Sequence, residues 1–446
     1  MKTLLKRLLV SILLLEARAV VRKYKPHIIA VTGSVGKTST KDAIFSVVAA
    51  GHHVRRSDKS FNSEVGLPLT ILGCPNAWNN PFAWLQNILD GLLLIIFPAR
   101  YPEWLVLEVG ADRPGDISSL AYWLPVDIAV ITRLPEVPVH VEYFKSVDAV
   151  VEEKASLINA LKQGGTLVLY ADQRAAFLRE RAEKQGAKVI TFGFDGGVDV
   201  RGSDFAPMFE TEQGRQYPIG MSSMVTVGGT SAPLSTMGVV GAHATLSTLA
   251  AVAVGSVLGM RVEESIAALG TYEPPLGRMH LLRGSKDTVI IDDTYNASPA
   301  AVEAALRTFA ILKKEKNFPE EAGLPGGKQV AVLGDMLELG RHSVDEHRKV
   351  GALVAQTADL LVTVGFRARD IAQGALDNGM LDANILQYED ATMVGEELLL
   401  RLQPGDVVLV KGSQSMRLER VVEQLMAEPE RAHELLVRQD AEWKRR

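Results

Sequence analysis

Residues 27–44, HIIAVTGSVGKTSTKDAI, pass from an apolar run into glycines around a lysine and then into hydroxyls. Residues 28–31 read as a buried strand and Thr40 onward as a helix, so Gly33-Ser34-Val35-Gly36-Lys37-Thr38 falls where a turn meets a helix N-terminus. Backbone N–H groups there lack intrahelical partners, and the helix dipole favours an anion. Lys37 would set a point charge against the β- and γ-phosphates of a nucleotide, and the Thr38 hydroxyl would reach Mg2+. Gly33, Ser34, Gly36 and Ser39 are the other members of this candidate cradle. The usual phosphate loop has a glycine five residues before the second Gly, where this chain has Val31, so a shortened G-x-x-G-K-T remains. The competing reading is a turn that needs its glycines only for positive φ. Lys and Thr directly after Gly36 weigh against it.

A strand, glycine turn and helix in that order predict an α/β fold, and the pattern recurs. Residues 104–111 (WLVLEVGA), 126–132 (VDIAVIT), 165–171 (GTLVLYA) and 187–193 (AKVITFG) are short runs rich in β-branched residues, with helical patterns between several of them. Alternation of this kind predicts a mainly parallel sheet covered on both faces. Residues 197–235, rich in Gly, Ser and Thr, break the rhythm and predict a small antiparallel excursion; a small-residue helix then follows in GAHATLSTLAAVAVGSVLGM. YEPPLGR, 272–278, is the best boundary, after which the alternation restarts in DTVIIDDTYNASP, KQVAVLGDM, LLVTVGF and DVVLVKGS. At 446 residues two or three domains are expected. The expected division is an N-terminal helix over 1–26, a P-loop-type ATPase domain over 27–272, and a Rossmann-like domain over 273–446. Residues 319–328 read as a loop, and a last helix starts near Met416.

The first 25 residues carry seven Lys/Arg against one acid, Glu16. Arg7, Ser11, Arg18, Arg22 and Lys25 cluster on a helical wheel, while Leu4, Leu5, Leu8, Leu9, Ile12, Leu13 and Leu15 cover most of the rest. Such a helix could lie in a membrane interface or pack on the protein's own body. Charges interrupt it too soon for a span, and no small-residue cleavage site marks it as a signal peptide. Residues 81–104 are a second apolar stretch with Asp90 in the middle, either a buried helix or a second patch against the same membrane. A net charge of −5 argues against nucleic acid as a partner. Cys74 is the only cysteine, which rules out an intrachain disulfide and fits a reducing cytosol.

Open α/β sheets place ligands at the carboxyl ends of their strands. Glu108 stands at such an end, and a carboxylate in an apolar run wants a cation. His140 follows ITRLPEVPVH, and Lys154 sits in VVEEKASLI beside Glu152 and Glu153. In the second half Asp292 and Asp293 precede Tyr295-Asn296, and Lys411 and Ser413 end DVVLVKGS. Taken singly, each could be a salt bridge, a surface residue or a turn.

Together these runs resemble the Mur ligases, over nearly the whole chain from Ile28. The most specific are TGSVGKTSTKDAI, SFNSEVGLPLTIL, LEVGADRPGDI, HVEYFKS, EEKASLI, LGRMHLL, IDDTYNASPAAVEAAL, VLGDMLELGRHSVDEH and VLVKGSQSMRLERVVEQL. ELG after GDM, and DDTYNASP, point to the branch that adds D-alanyl-D-alanine to a UDP-MurNAc-tripeptide. The resemblance implies phosphoryl transfer from ATP to a peptide carboxylate, giving an acyl phosphate that the incoming amine attacks. It implies that Lys37 and Thr38 hold phosphates and a first Mg2+, that Glu108 binds Mg2+, and that His140 binds a second. Lys154 matches a lysine that is carbamylated in most such enzymes. Arg278 and Asp293 match nucleotide-facing positions, Asn296, Lys411 and Ser413 line the amine's side, and Asn62 and Ser63 face the nascent peptide. The implied partners are a nucleotide- or lipid-linked muramyl peptide and the dipeptide. A monomer in the cytoplasm is expected, with peripheral contact on the inner membrane face open.

Two departures stand out. Relatives usually carry Asn after the histidine of a GRHN run, where it touches adenine; here His243 is followed by Ala244. The UDP-gripping first domain is also expected to be missing, since about 26 residues precede the loop strand. A ligase of another acceptor and a nucleotide-binding scaffold without turnover are the alternatives.

Overall fold

A computed structural model describes residues 2–58, 64–212, 215–315 and 327–444. Nine strands form one sheet: β1 His27–Thr32, β2 Val54–Arg56, β3 Trp104–Glu108, β4 Val126–Ile131, β5 Leu161–Tyr170, β6 Lys188–Gly193, β7 Val200–Glu212, β8 Arg215–Val227 and β9 Thr230–Met237. Their order is β2-β3-β1-β4-β5-β6-β7-β8-β9. The pairs from β2 to β7 are parallel, and β7, β8 and β9 pair antiparallel, as the glycine-rich break predicts. The second sheet holds β10 His280–Gly284, β11 Thr288–Asp293, β12 Gln329–Gly334, β13 Leu360–Val364, β14 Ile385–Tyr388 and β15 Val407–Lys411. It runs β10-β11-β15-β12-β13-β14, parallel except for β10 against β11. The predicted loop over 319–328 falls largely on residues outside those described.

Strands such as IIAV and VAVL are apolar on both faces because helices cover both. The helices of the first half are α1 Lys2–Tyr24, α2 Lys37–Ala49, α3 Gly66–Leu72, α4 Pro81–Ile96, α5 Asp116–Ala121, α6 Val147–Ala155, α7 Ala175–Lys184, α8 Leu246–Val257 and α9 Val262–Leu269. One side of its sheet packs on Ile44 and Val47 of α2 and on Leu249 and Val252 of α8. The other packs on Leu13 of α1, Leu69 of α3, Ile117 of α5 and Leu178 of α7. In the second half, α10 Pro299–Glu315, α11 Ser343–Thr357 and α12 Arg369–Asp377 cover one face through Phe309, Val350 and Ile371. There α13 Val394–Arg401 and α14 Glu419–Leu425 cover the other through Leu398 and Val421.

The choice left open for the N-terminal helix resolves in part. Leu13, Ala17, Val20 and Val21 are buried in the core shared with α3 and α4. Burying the Leu13, Val20 and Val21 side chains stabilises by about 1.5–3 kcal/mol each, so α1 belongs to the body of the fold. Leu8 and Leu15 stay exposed. The helix ends at Tyr24, so Lys25, with φ 48°, turns off the expected basic stripe.

Glu16 is a polar intrusion on the buried side of α1. It faces Gly91 of α4, where a Cβ would stand 2.4 Å from Oε2. That oxygen has no hydrogen-bond partner among the described residues. Desolvation raises the Glu16 pKa from 4.5 to about 7. Unfolding therefore releases a proton between those two values, and stability falls as pH rises across that window. Glu16→Gln is expected to melt a few degrees above the unsubstituted protein at pH 8, with the gain vanishing near pH 4.5. Thermal melts across that range check it; an equal gain at both ends would contradict it.

Candidate active site

β1 delivers the chain into the loop 33–36, and α2 starts at Lys37 with Gly36 at φ 84° as its cap. No side chain caps α2, so its first N–H groups face the space beyond. The loop is tied to the end of β4: the Ser34 amide donates to the Arg133 carbonyl at 3.1 Å, and Thr132 Oγ1 to the Val35 carbonyl at 2.7 Å. Gly33, at φ 142°, cannot be replaced cheaply. A Cβ there would lie 1.9 Å from Thr132 Oγ1.

Two lysines converge on one oxygen. Lys37 Nζ and Lys154 Nζ each donate to the Gly33 carbonyl at 3.1 Å. Burial pushes the Lys37 pKa down, with Glu108 pulling the other way. Burial, then the Lys37 charge, bring Lys154 from 10.5 to about 7. Glu153, next in the chain, accepts from the amides of Gly115, Ile117 and Ser118 at 3.0, 2.7 and 2.9 Å and so docks α6 against α5. Lys154 is thus held beneath the loop rather than at a solvated helix position.

A cavity of about 430 Å3 lies above the loop and between the two halves. Ser34, Gly36, Lys37, Thr38, Ser39, Glu108 and His140 line it from the first half. Arg278, Asp293, Asn296 and Lys411 line it from the second. Arg278 Nη2 donates to Thr38 Oγ1 at 3.1 Å, and its guanidinium stacks 4.2 Å from the Tyr295 ring. Lys411 Nζ lies 2.6 Å from Asp293 Oδ2 and donates to the Asn296 carbonyl at 2.9 Å. His140, at φ 67°, stands with Nδ1 2.6 Å from Glu338 Oε2 and Nε2 3.4 Å from Asp112 Oδ1. That hydrogen bond holds the Glu338 carboxyl below its usual range. Ser34 Oγ and Arg278 Nε are buried and without a hydrogen-bond partner among the described residues.

Not every expected residue reaches the cavity. Gly33 and Lys154 stand behind its floor. Ser413 does not line it: its Oγ accepts from the Leu337 amide at 2.9 Å and its own amide donates to the Asp335 carbonyl, which fixes the loop carrying Glu338. Asn62 and Ser63 lie outside the described residues. Asp292 points away from the site, bonded to Thr294. Asp112, Arg133 and Glu338 were not singled out by sequence reasoning, and Tyr295 was named there without a role. Asp112 stands four residues past Glu108 in a run already marked, which was the available signal. The meeting of Glu338 with His140 had none, since the two are remote in the chain.

No three His, Cys, Asp or Glu side chains among the described residues form a ready metal cage. Mg2+ normally keeps waters and shares one or two carboxylates with phosphates. The Thr38 hydroxyl and the Glu108 carboxylate beside Lys37 fit that kind of site.

The chain matches the Mur ligase middle domain over residues 85–255 and the Mur ligase glutamate ligase domain over residues 277–414. It is 30% identical to a UDP-N-acetylmuramoyl-tripeptide--D-alanyl-D-alanine ligase of Mycobacterium leprae, with 90% of this chain and 74% of that one covered. It is 31% identical to the enzyme so named in Synechocystis, with 91% and 76% covered. The crystal structure of MurF ligase from Thermotoga maritima in complex with ADP is similar, with TM-score 0.72 and 26% identity over 95% of this chain and 84% of that one. The protein belongs to the Mur ligase family.

Gly33→Ala is expected to lower stability by about 1–3 kcal/mol through overpacking and to abolish the thermal shift that ATP gives. Melts with and without nucleotide check both. An unshifted Tm with intact ATP response would contradict the loop geometry.

Proposed function

We propose that the protein is an ATP-dependent peptide ligase that joins D-alanyl-D-alanine to a UDP-MurNAc-tripeptide, the reaction for which its relatives are named. The observation carrying this reading is the loop with Lys37, backed by buried Lys154 on the same Gly33 carbonyl, which faces Arg278, Asp293 and Lys411 across one cavity. The loop amides, Lys37 and the Ser34 hydroxyl bind the phosphates of ATP. Thr38 and Glu108 hold a first Mg2+, and His140 with Asp112 beside it a second. Magnesium held by these residues would supply charge neutralisation for transfer of the γ-phosphoryl group from ATP to the acceptor carboxylate, with ADP as leaving group. Arg278, at the loop, steadies the phosphate oxygens from the second half. The amine of the dipeptide enters past Asn296 and Lys411, attacks the acyl phosphate carbonyl, and phosphate leaves with its bonding pair as the amide forms.

Lys154 fits carbamylation. With a pKa near 7 its amine is in part neutral at physiological pH, so nitrogen can attack CO2, form an N–C bond and lose a proton. The product replaces a cation beside Lys37 with an anion, which relieves the repulsion that lowers the pKa. The carbamate would then orient magnesium.

A second reading keeps the chemistry and changes the acceptor's carrier to a lipid. The apolar outer side of α4 favours it, with the enzyme cytoplasmic and peripheral on the inner membrane face.

Phosphate release from ATP and Mg2+ with UDP-MurNAc-tripeptide is expected to depend on D-Ala-D-Ala. Release that ignores the dipeptide would contradict the reaction, and release only with a lipid-linked acceptor would favour the second reading. Lys154→Ala is expected to lose at least about a hundredfold in kcat and to regain part of it with a short carboxylate such as acetate. A fully active variant would contradict the role given to Lys154.

A further inference from the structure

Helix α4 buries only Asn87 and Gly91. Its opposite side carries Phe82, Leu85, Leu89, Leu92, Leu93 and Ile96, each between 44% and 82% exposed. At 1.5 Å per residue the helix is about 24 Å long, so these side chains form a continuous apolar stripe rather than scattered residues. Trp78 and Phe97, at the two ends of α4, are exposed as well, as is Leu15 of α1. Apolar patches of this extent on a soluble surface mark interaction sites.

The exposed charges of these two segments are basic. Across residues 7–25 and 78–100 the exposed ionisable side chains are Arg7, Arg22, Lys23, Lys25 and Arg100. Of the two acids in these segments, Glu16 is buried, and half-buried Asp90 accepts from Gln86 at 2.8 Å. Lys23 Nζ reaches the carbonyls of Leu94, Ile95 and Phe97 at 2.9, 3.0 and 2.6 Å. The basic end of α1 therefore lies at the carboxyl end of the stripe. No described helix is long and apolar enough to cross a membrane.

We infer that α4 and the exposed edge of α1 form a docking face for a bilayer containing anionic lipid. The stripe lies among the upper acyl chains, and Arg22, Lys25 and Arg100 meet the headgroups. A second copy is the weaker occupant, because it would press another predominantly basic face against this one. The inference concerns where the enzyme sits and stands apart from which acceptor it uses.

Deleting α1 would be a poor test, since it removes core residues. The full chain is instead sedimented with vesicles of phosphatidylglycerol and phosphatidylcholine, and with phosphatidylcholine alone, at low and high salt. Binding is expected mainly to the anionic vesicles and to weaken as salt screens the headgroups. Leu85→Glu, Leu89→Glu and Leu93→Glu together should cut it by about tenfold or more, with an unchanged Tm. Arg22→Glu with Arg100→Glu should remove the preference for anionic lipid. Three results would overturn the inference: no binding to either vesicle, binding indifferent to the leucine substitutions, or a dimer in light scattering that those substitutions abolish. The last would assign the face to a second copy.

Discussion

The carbonyl of Gly33 receives two ammonium groups, from Lys37 on α2 and Lys154 on α6, and the rest of the site follows from holding them there. Like charges this close repel away from water, and burial first, then this repulsion, lower the Lys154 pKa. The folded chain offsets part of that repulsion with Glu108, Asp112 and Asp116 and leaves the remainder aimed at the cavity. Backbone amides at an uncapped helix N-terminus with Lys37 beside them are prepared for phosphate before any phosphate arrives. The close approach of Thr132 to Gly33 and the docking of Glu153 on α5 keep both lysines in place.

The second half of the chain closes over this floor with side chains that are themselves tethered. Arg278 is stacked on Tyr295, and the Tyr295 and Thr294 carbonyls accept from Arg438, which is paired with buried Glu419. The C-terminal segment thus reaches back to brace the strand-end loop that faces the nucleotide cavity. His140 and Glu338 meet from opposite halves, and both hold left-handed backbone. Non-glycine residues with such backbone carry a cost that surrounding structure must offset, and they cluster where function needs fixed geometry.

Much of this was legible in the chain because its strands are written plainly. Runs such as VDIAVIT, KQVAVLG and DVVLVKG are too apolar and too short to be anything but buried parallel strands, and their ends carried the candidate residues. β10 and β14 were not anticipated: HLLRG and ILQY are short edge strands with polar positions, and edges need fewer apolar residues. The role of Ser413 was misleading for a similar reason, since a Ser after Lys-Gly can serve a loop as well as a ligand. The N-terminal helix was ambiguous from pattern alone because its leucines cover more than one face. Only packing shows that Leu13, Ala17 and Val20 turn inward while Leu8 and Leu15 do not. Contacts across the cavity, such as His140 with Glu338, depend on how the halves meet and have no local signature.

The central claim is that this loop floor and its facing half activate a carboxylate by phosphorylating it. The most direct measurement uses an acceptor peptide with an 18O-labelled terminal carboxylate, incubated with ATP, Mg2+ and D-Ala-D-Ala, with mass spectrometry of the released phosphate. The account predicts one labelled oxygen in each phosphate released with amide formation. Amide formation with unlabelled phosphate would contradict it.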